Sequence, residues 1–351
     1  MQTSRIHEID LLRFIAALAV VIFHYAFRGY AGGDMSVMPY PLLSGLARYG
    51  YLGVELFFMI SGFVIVLSIG SGSLRQFFIS RAARLYPALW ICCTLTFVAI
   101  LLFGAPRYET NIKQYFSSML LVSEFIGIGN VESAYWSLFV ELKFYFIIAA
   151  VLLFKKTRHL ENILCAWLFF SGVCELSGWE GARKSFITDY ASYFVAGANF
   201  YWIWAEGSNR RRQLTTLVCL ALSLHHSLQF GVLLESVYQT QFNSLAIAFT
   251  IIVFYAAMQL VAQRKTGWVG THNWAPVGAL TYPLYLLHQT VGFIIFNTFY
   301  PAWNNHLLLW ATVAGMLIAS WVIQRFLEKP ISRQLKKIMR KGLKVSPLSP
   351  Q

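Results

Sequence analysis

Charge is what this sequence has least of. Only 12% of its 351 residues are Asp, Glu, Lys or Arg, about half of what a soluble domain of that size carries. Hydrophobic residues make up 57% and the mean hydropathy is +0.57. A sizeable soluble domain is thereby excluded, and a polytopic membrane protein with short loops is what remains. Acidic residues are scarcer still, 15 against 28 basic ones. The resulting charge of +13 does not point to nucleic acid, because the positives fall in short loops between apolar runs, where positive-inside topology puts them. The five cysteines (Cys92, Cys93, Cys165, Cys174, Cys219) form no C-x-x-C and have no His at ligand spacing. They read as small packing residues, with no metal implied. No A-x-A site follows the first apolar run, and Asp10 and Arg13 interrupt its start. That run reads as an uncleaved helix and not a signal peptide. No internal repeat is visible.

Runs long enough to cross a bilayer occur near 11–27, 51–69, 88–104, 134–154, 161–177, 187–206, 213–230, 242–262, 279–298 and 306–326. They predict an all-α bundle of about ten transmembrane helices. The stretch Tyr115–Gly127 is too short to span and reads as a re-entrant or interfacial segment. With the N-terminus inside, 19 basic residues fall on the cytoplasmic side and 6 on the other, with Arg13, Lys143 and Arg325 inside helices. Both termini are therefore expected in the cytoplasm of a multi-pass protein of the cell (inner) membrane. Residues 1–335 form the integral-membrane domain, and 336–351 a basic, Pro/Ser-containing tail expected on the anionic membrane surface.

Against this apolar background, Arg13 and His24 share one segment, Leu11–Phe27. A cation and an imidazole inside a spanning helix are expensive, so a functional reading is the default. Eleven residues at ~100° each bring both to one face, about 16 Å apart along the axis. The pattern asks for a long anionic cofactor lying along the helix, a phosphate at one end and a thioester at the other. Topology puts Arg13 near the cytoplasmic end and His24 near the outer one. Glu55 lies about 6 Å, and Glu141 about 10 Å, below the outer face. One imidazole and two carboxylates are thus expected in one outer layer, a general-base constellation in which a carboxylate orients the imidazole. Glu55 reads equally as a helix-start carboxylate at the interface, and Lys143 as a charge partner for a residue elsewhere.

At the cytoplasmic side Arg81 and Arg84 stand three apart, followed by Pro87 before the third span. They suit bidentate phosphate recognition at the depth of Arg13, although topology anchoring also accounts for such arginines. Tyr282, Tyr285 and His288 recur at i, i+3 and i+6, and His288 reads either as an interhelical hydrogen-bonding residue or as a ligand or catalytic one.

Five pieces run in order along the chain: Arg-x10-His (Arg13, His24), Gly53–Phe63, Arg-x-x-Arg (Arg81, Arg84), Trp-Ser-Leu-x-x-Glu (Trp136–Glu141) and Tyr-x-x-Tyr-Leu-x-His (Tyr282–His288). In these the chain resembles the membrane acyltransferase family 3, O-acyltransferases that decorate cell-surface glycans and related molecules. The resemblance implies an acyl-CoA donor arriving from the cytoplasm, arginines gripping CoA phosphates, and His24 essential for transfer. Many relatives carry a C-terminal SGNH esterase-like domain. This sequence ends after its basic tail, so the stand-alone form is expected, with acceptor choice in the membrane domain or a separate partner. The reading is an O-acyltransferase using acetyl-CoA, or another acyl-CoA, on a glycan or lipid-linked sugar. His24, as general base or acyl relay, Glu141 and Glu55 are the catalytic candidates, Arg13, Arg81 and Arg84 hold the donor, and Trp136, Ser137, Tyr282, Tyr285 and His288 contact substrate. Oligomeric state stays open, a homodimer included. The rivals are a secondary transporter exporting an anionic glycan or lipid, for which paired interrupted helices in two related halves are missing, and a sensor or scaffold without turnover.

Overall fold

In an apolar solvent every backbone N–H and C=O must be satisfied within the chain, and the hydrophobic runs answer that demand as helices. A computed structural model describes residues 5–33, 35–69 and 73–343. Within these, nine helical stretches are long and apolar enough to cross a membrane. The elements that build the site are α1 (His7–Phe23), α2 (Gly53–Leu67), α3 (Leu74–Phe103), α4 (Trp136–Leu153), α5 (Leu160–Ser177) and α6 (Thr188–Glu206). They are followed by α7 (Arg210–Tyr238), α8 (Ser244–Ala262), α9 (Ala275–Phe299), α10 (Asn305–Val322) and α11 (Lys329–Gly342). Side-chain caps start several of them: Ser73 accepts from Gln76 N, Asn209 from Arg212 N, and Asn243 and Asn304 from the N–H groups that follow each.

The polytopic all-α expectation holds. The run near 187–206 becomes α6, less apolar than the nine but well enclosed by its neighbours, with Tyr193, Phe194, Ala196, Ala198 and Phe200 all fully buried. It crosses α2 backbone to backbone. A Cβ on Gly197 would stand 1.8 Å from Met59 O, and one on Gly62 would stand 2.1 Å from Phe194 O. Two glycines facing each other across a crossing let apolar helices pack where lipid gives no hydrophobic drive. Gly50 and Gly53 bring the start of α2 equally close to Ala19 and Ala16 of α1. The segment near 115–127 forms a short helix, Ile112–Met119, and a 3-10 turn, Ser123–Ile126, neither long enough to span.

One boundary differs from the expected one. The third span begins at Leu74 and not near 88, so Arg81, Arg84 and Pro87 all lie inside one 30-residue helix. Proline removes the N–H that would bond the carbonyl four residues back. Ser332 Oγ supplies the replacement, donating to Ala83 O at 2.7 Å. At the other end, α10 continues through a π-turn, Ile323–Glu328, into α11, which runs straight through the 335/336 boundary. Residues 344–351 of the tail lie outside the described residues.

Candidate active site

Six helices, α1, α2, α3, α4, α7 and α9, carry polar side chains into the middle of the bundle, and these gather in two adjoining cavities. The first is lined by Arg13 of α1, Ser61 of α2, Arg81 and Arg84 of α3, Ser137, Glu141 and Tyr145 of α4, and Tyr282 and Tyr285 of α9. All three arginines expected to share a depth do share a cavity. Arg81 lies between the rings of Phe77 and Tyr145, 5.9 and 5.8 Å from their centroids, and its buried Nε has no partner among the described residues. Arg84 lies over the Tyr282 ring at 5.2 Å, with Nη1 3.3 Å from Glu328 Oε1. Arg13 makes no hydrogen bond or ion pair to a described residue. Three guanidinium groups with donors unspent suit the binding of an anion.

Glu141 also faces this cavity. Ser61 Oγ donates to its Oε1 at 2.6 Å and Tyr145 OH donates to the same oxygen at 3.0 Å. The layer expected to gather His24 with two carboxylates therefore divides. Glu55 lines the second cavity with His24, and Glu141 lines the first with the arginines. Counting residues gives height along a helix but not the neighbour it meets there. Lys143 makes no ion pair with a described residue: its Nζ donates to Lys184 O at 2.7 Å and sits 4.8 Å from the centroid of the Phe139 ring.

The second cavity is lined by His24, Arg28, Glu55, Trp136, Tyr238 and Tyr285, with apolar side chains between them. Helix α1 is unbroken from His7 to Phe23, so the spacing of Arg13 and His24 stands at about 16 Å. At His24 it widens into a π-turn, His24–Arg28, a feature that re-aims side chains and recurs at functional sites. His24 Nδ1 lies 2.7 Å from Val20 O, and His288 Nδ1 lies 2.9 Å from Tyr285 O. A carbonyl only accepts, so in both neutral rings Nδ1 carries the hydrogen. His288 Nε2 is then a lone pair, 3.2 Å from His24 Nδ1, and the hydrogen of His24 is held between it and Val20 O. What remains is His24 Nε2, the basic nitrogen. Arg28 Nη1 stands 3.5 Å from it.

His288 is fully buried and lines neither cavity; its place is behind His24. Ser137 Oγ and Tyr285 OH are 2.6 Å apart, and Tyr285 OH also donates to Ala134 O at 3.0 Å. Tyr282 OH is held by Leu85 O at 3.0 Å. Tyr285 and Val54 line both cavities, so the two spaces meet at these side chains. Sequence reading passed over Arg28, Tyr145, Glu132 and Glu328. Arg28 follows His24, and Tyr145 follows Glu141, by four residues, the helical same-face interval that could have found them. Glu132 is fully buried, its Oε2 accepting from Thr290 N at 2.9 Å. No local signal marks it or Glu328.

Comparison with known proteins identifies the family. The chain is similar to Nodulation protein 10 of Rhizobium leguminosarum bv. viciae, 30% identical over 57% of this chain and 58% of the relative. It is similar to the peptidoglycan O-acetyltransferase OatA of Listeria monocytogenes, 25% identical over 56% of this chain and 34% of the relative. It is also similar to the O-acetyltransferase OatA of Staphylococcus aureus (strain NCTC 8325), 22% identical over 93% of this chain and 57% of the relative. The chain thus spans about half the length of the curated relatives it matches. No solved structure matches it. The acyltransferase domain model covers residues 6–325, which takes in both cavities and every helix that lines them, and the chain belongs to that acyltransferase family.

Proposed function

We propose that this protein is a membrane O-acetyltransferase that moves an acetyl group from acetyl-CoA on the cytoplasmic side to a hydroxyl of a cell-surface or exported glycan. The single observation that carries the reading is the meeting of an arginine-lined cavity and a histidine-lined cavity at Val54 and Tyr285. Arg13, Arg81 and Arg84 hold the phosphates of the donor, and its pantetheine arm runs along α1. The thioester passes Tyr285 to reach His24. The acceptor hydroxyl comes from the opposite face. His24 Nε2 takes its proton as the alkoxide attacks the thioester carbonyl, the C–S bond breaks, and the imidazolium returns the proton to the CoA thiolate. Arg28, beside Nε2, is placed to meet negative charge on the carbonyl oxygen. Glu55 faces the same space, while Glu141, tied by Ser61 and Tyr145, orders the arginine cavity.

The name of one relative, a peptidoglycan O-acetyltransferase, supports a glycan acceptor, and that of another supports O-acetyl transfer. The test is direct: purified protein in nanodiscs is incubated with radiolabelled acetyl-CoA and sonicated peptidoglycan strands. Base-labile label on the strands, lost in His24→Ala, is the expected result. Label on no glycan of a panel that includes lipid-linked sugars overturns it.

A further inference from the structure

Beyond the His24 cavity, toward the same end of the bundle, a second concavity opens between the end of α1, the short helix Pro41–Ala47 and the last turn of α7. Phe27, Tyr30, Tyr40, Arg48, Tyr238 and Thr240 line it. Tyr238 also lines the His24 cavity, its ring 5.2 Å from Phe27 on one side and 6.4 Å from Phe23 on the other. The cleft thus adjoins the space in front of His24, with the Tyr238 ring as their common wall. We propose that it is an acceptor subsite for a saccharide chain, holding the sugar next to the one acetylated; this rests on the glycan-transferase reading above.

The chemistry of the walls selects the ligand. A pyranose has apolar C–H faces and hydroxyl edges, and the cleft offers aromatic faces with polar groups at their rims. Tyr40 is fixed by its hydroxyl on His306 Nδ1 at 2.8 Å, and Arg48 by Gln241 O at 2.8 Å with its guanidinium over Phe27 at 5.6 Å. These two are preorganised. The hydroxyls of Tyr30 and Tyr238 have no partner among the described residues and are free for a ligand. Among the described residues no carboxylate lines the cleft, which suits a neutral or anionic sugar. Tyrosines at a membrane interface commonly form a belt facing lipid. That does not describe Phe27 and Tyr40, which are 5% and 4% exposed and turned into the fold.

The experiment uses the nanodisc protein with peptidoglycan strands and the variants Tyr30→Ala, Arg48→Gln and Tyr238→Phe. Tyr30 is 58% exposed, so its loss removes little packing, and Tyr238→Phe keeps the ring. The expected result is a rise of at least fivefold in KM for the strands in Tyr30→Ala and Arg48→Gln, with KM for acetyl-CoA within twofold of wild type. Saturation-transfer NMR without donor should show magnetisation passing to strand sugar protons in wild type and dropping by half or more in these variants. If wild type transfers acetyl groups and the variants leave strand KM within twofold, the subsite is wrong and the enzyme reading stands. If wild type binds strands through this cleft but transfers nothing, the enzyme reading fails and the subsite stands. Saturation of lipid headgroups in place of sugar, or of neither, overturns the subsite.

Discussion

His24 and His288, 264 positions apart in the chain, meet ring to ring with Nε2 of the second 3.2 Å from Nδ1 of the first. Because backbone carbonyls already fix both Nδ1 hydrogens, this contact decides which nitrogen of His24 faces the cavity. In the proposed mechanism His288 is therefore a positioning residue.

Removal of His24 should abolish transfer without loss of expression or membrane insertion. His288→Ala should lower kcat by about 10–100-fold, part of the ~10²–10⁴ that positioned acid–base catalysis contributes. KM for acetyl-CoA should stay within twofold, and His288→Gln, which keeps an acceptor near Nδ1, should recover part of the loss. Steady-state kinetics on the nanodisc protein decide it. More than a tenth of wild-type activity in His24→Ala removes that residue from the catalytic role.

At the arginine cavity, Arg81→Ala and Arg84→Ala should each weaken CoA binding by about 1.5–3 kcal/mol, the scale of a charged hydrogen bond. Lysine replacements should restore only part, since a point charge lacks the planar fork. Arg84 is engaged by Glu328, so Glu328→Gln should free it and tighten CoA severalfold. Calorimetry with CoA measures all five variants; affinity unchanged in both alanine variants means these arginines only set topology.

Gly197→Ala should be among the most damaging small changes in the protein. Its added Cβ would stand 1.8 Å from Met59 O, a backbone atom that cannot rotate away. Overpacking of this kind costs about 1–3 kcal/mol or more. Thermal unfolding followed by size-exclusion chromatography should show a lowered midpoint, while Gly172→Ala, with open space around the new atom, should not. Equal midpoints would mean that the α2–α6 crossing yields.

The proposed two-sided arrangement predicts vectorial turnover. In sealed vesicles of known orientation, acetyl-CoA should be consumed only from the Arg81 face, and acetylated glycan should appear on the other. Product on the donor side would refute the arrangement while leaving the residue assignments intact.

Much of this was legible because periodicity and membrane cost act locally. Arg13 and His24 could be placed on one face since nothing interrupts the helix between them, and Arg81 and Arg84 could be paired for the same reason. Pro87 misled as a boundary because its relief comes from Ser332, near the far end of the chain. Glu141 could be given a depth but not a cavity, because which neighbours a helix face meets is decided by packing. His288 stayed open between two readings for the same reason: its partner His24 lies on another helix, and only the fold brings them together.

Tyr285 carries one more implication. A protein entered from both faces of a bilayer risks becoming a leak for protons and ions, and a cell that lives on its membrane gradient cannot tolerate one. The tyrosine common to both cavities is tied through its hydroxyl to Ser137 and Ala134, where the two spaces meet. In the proposed two-sided arrangement, a tyrosine held there would insulate one compartment from the other. Whatever moves it aside for a thioester must also fill the gap, so on this reading the donor arm itself is the plug during turnover.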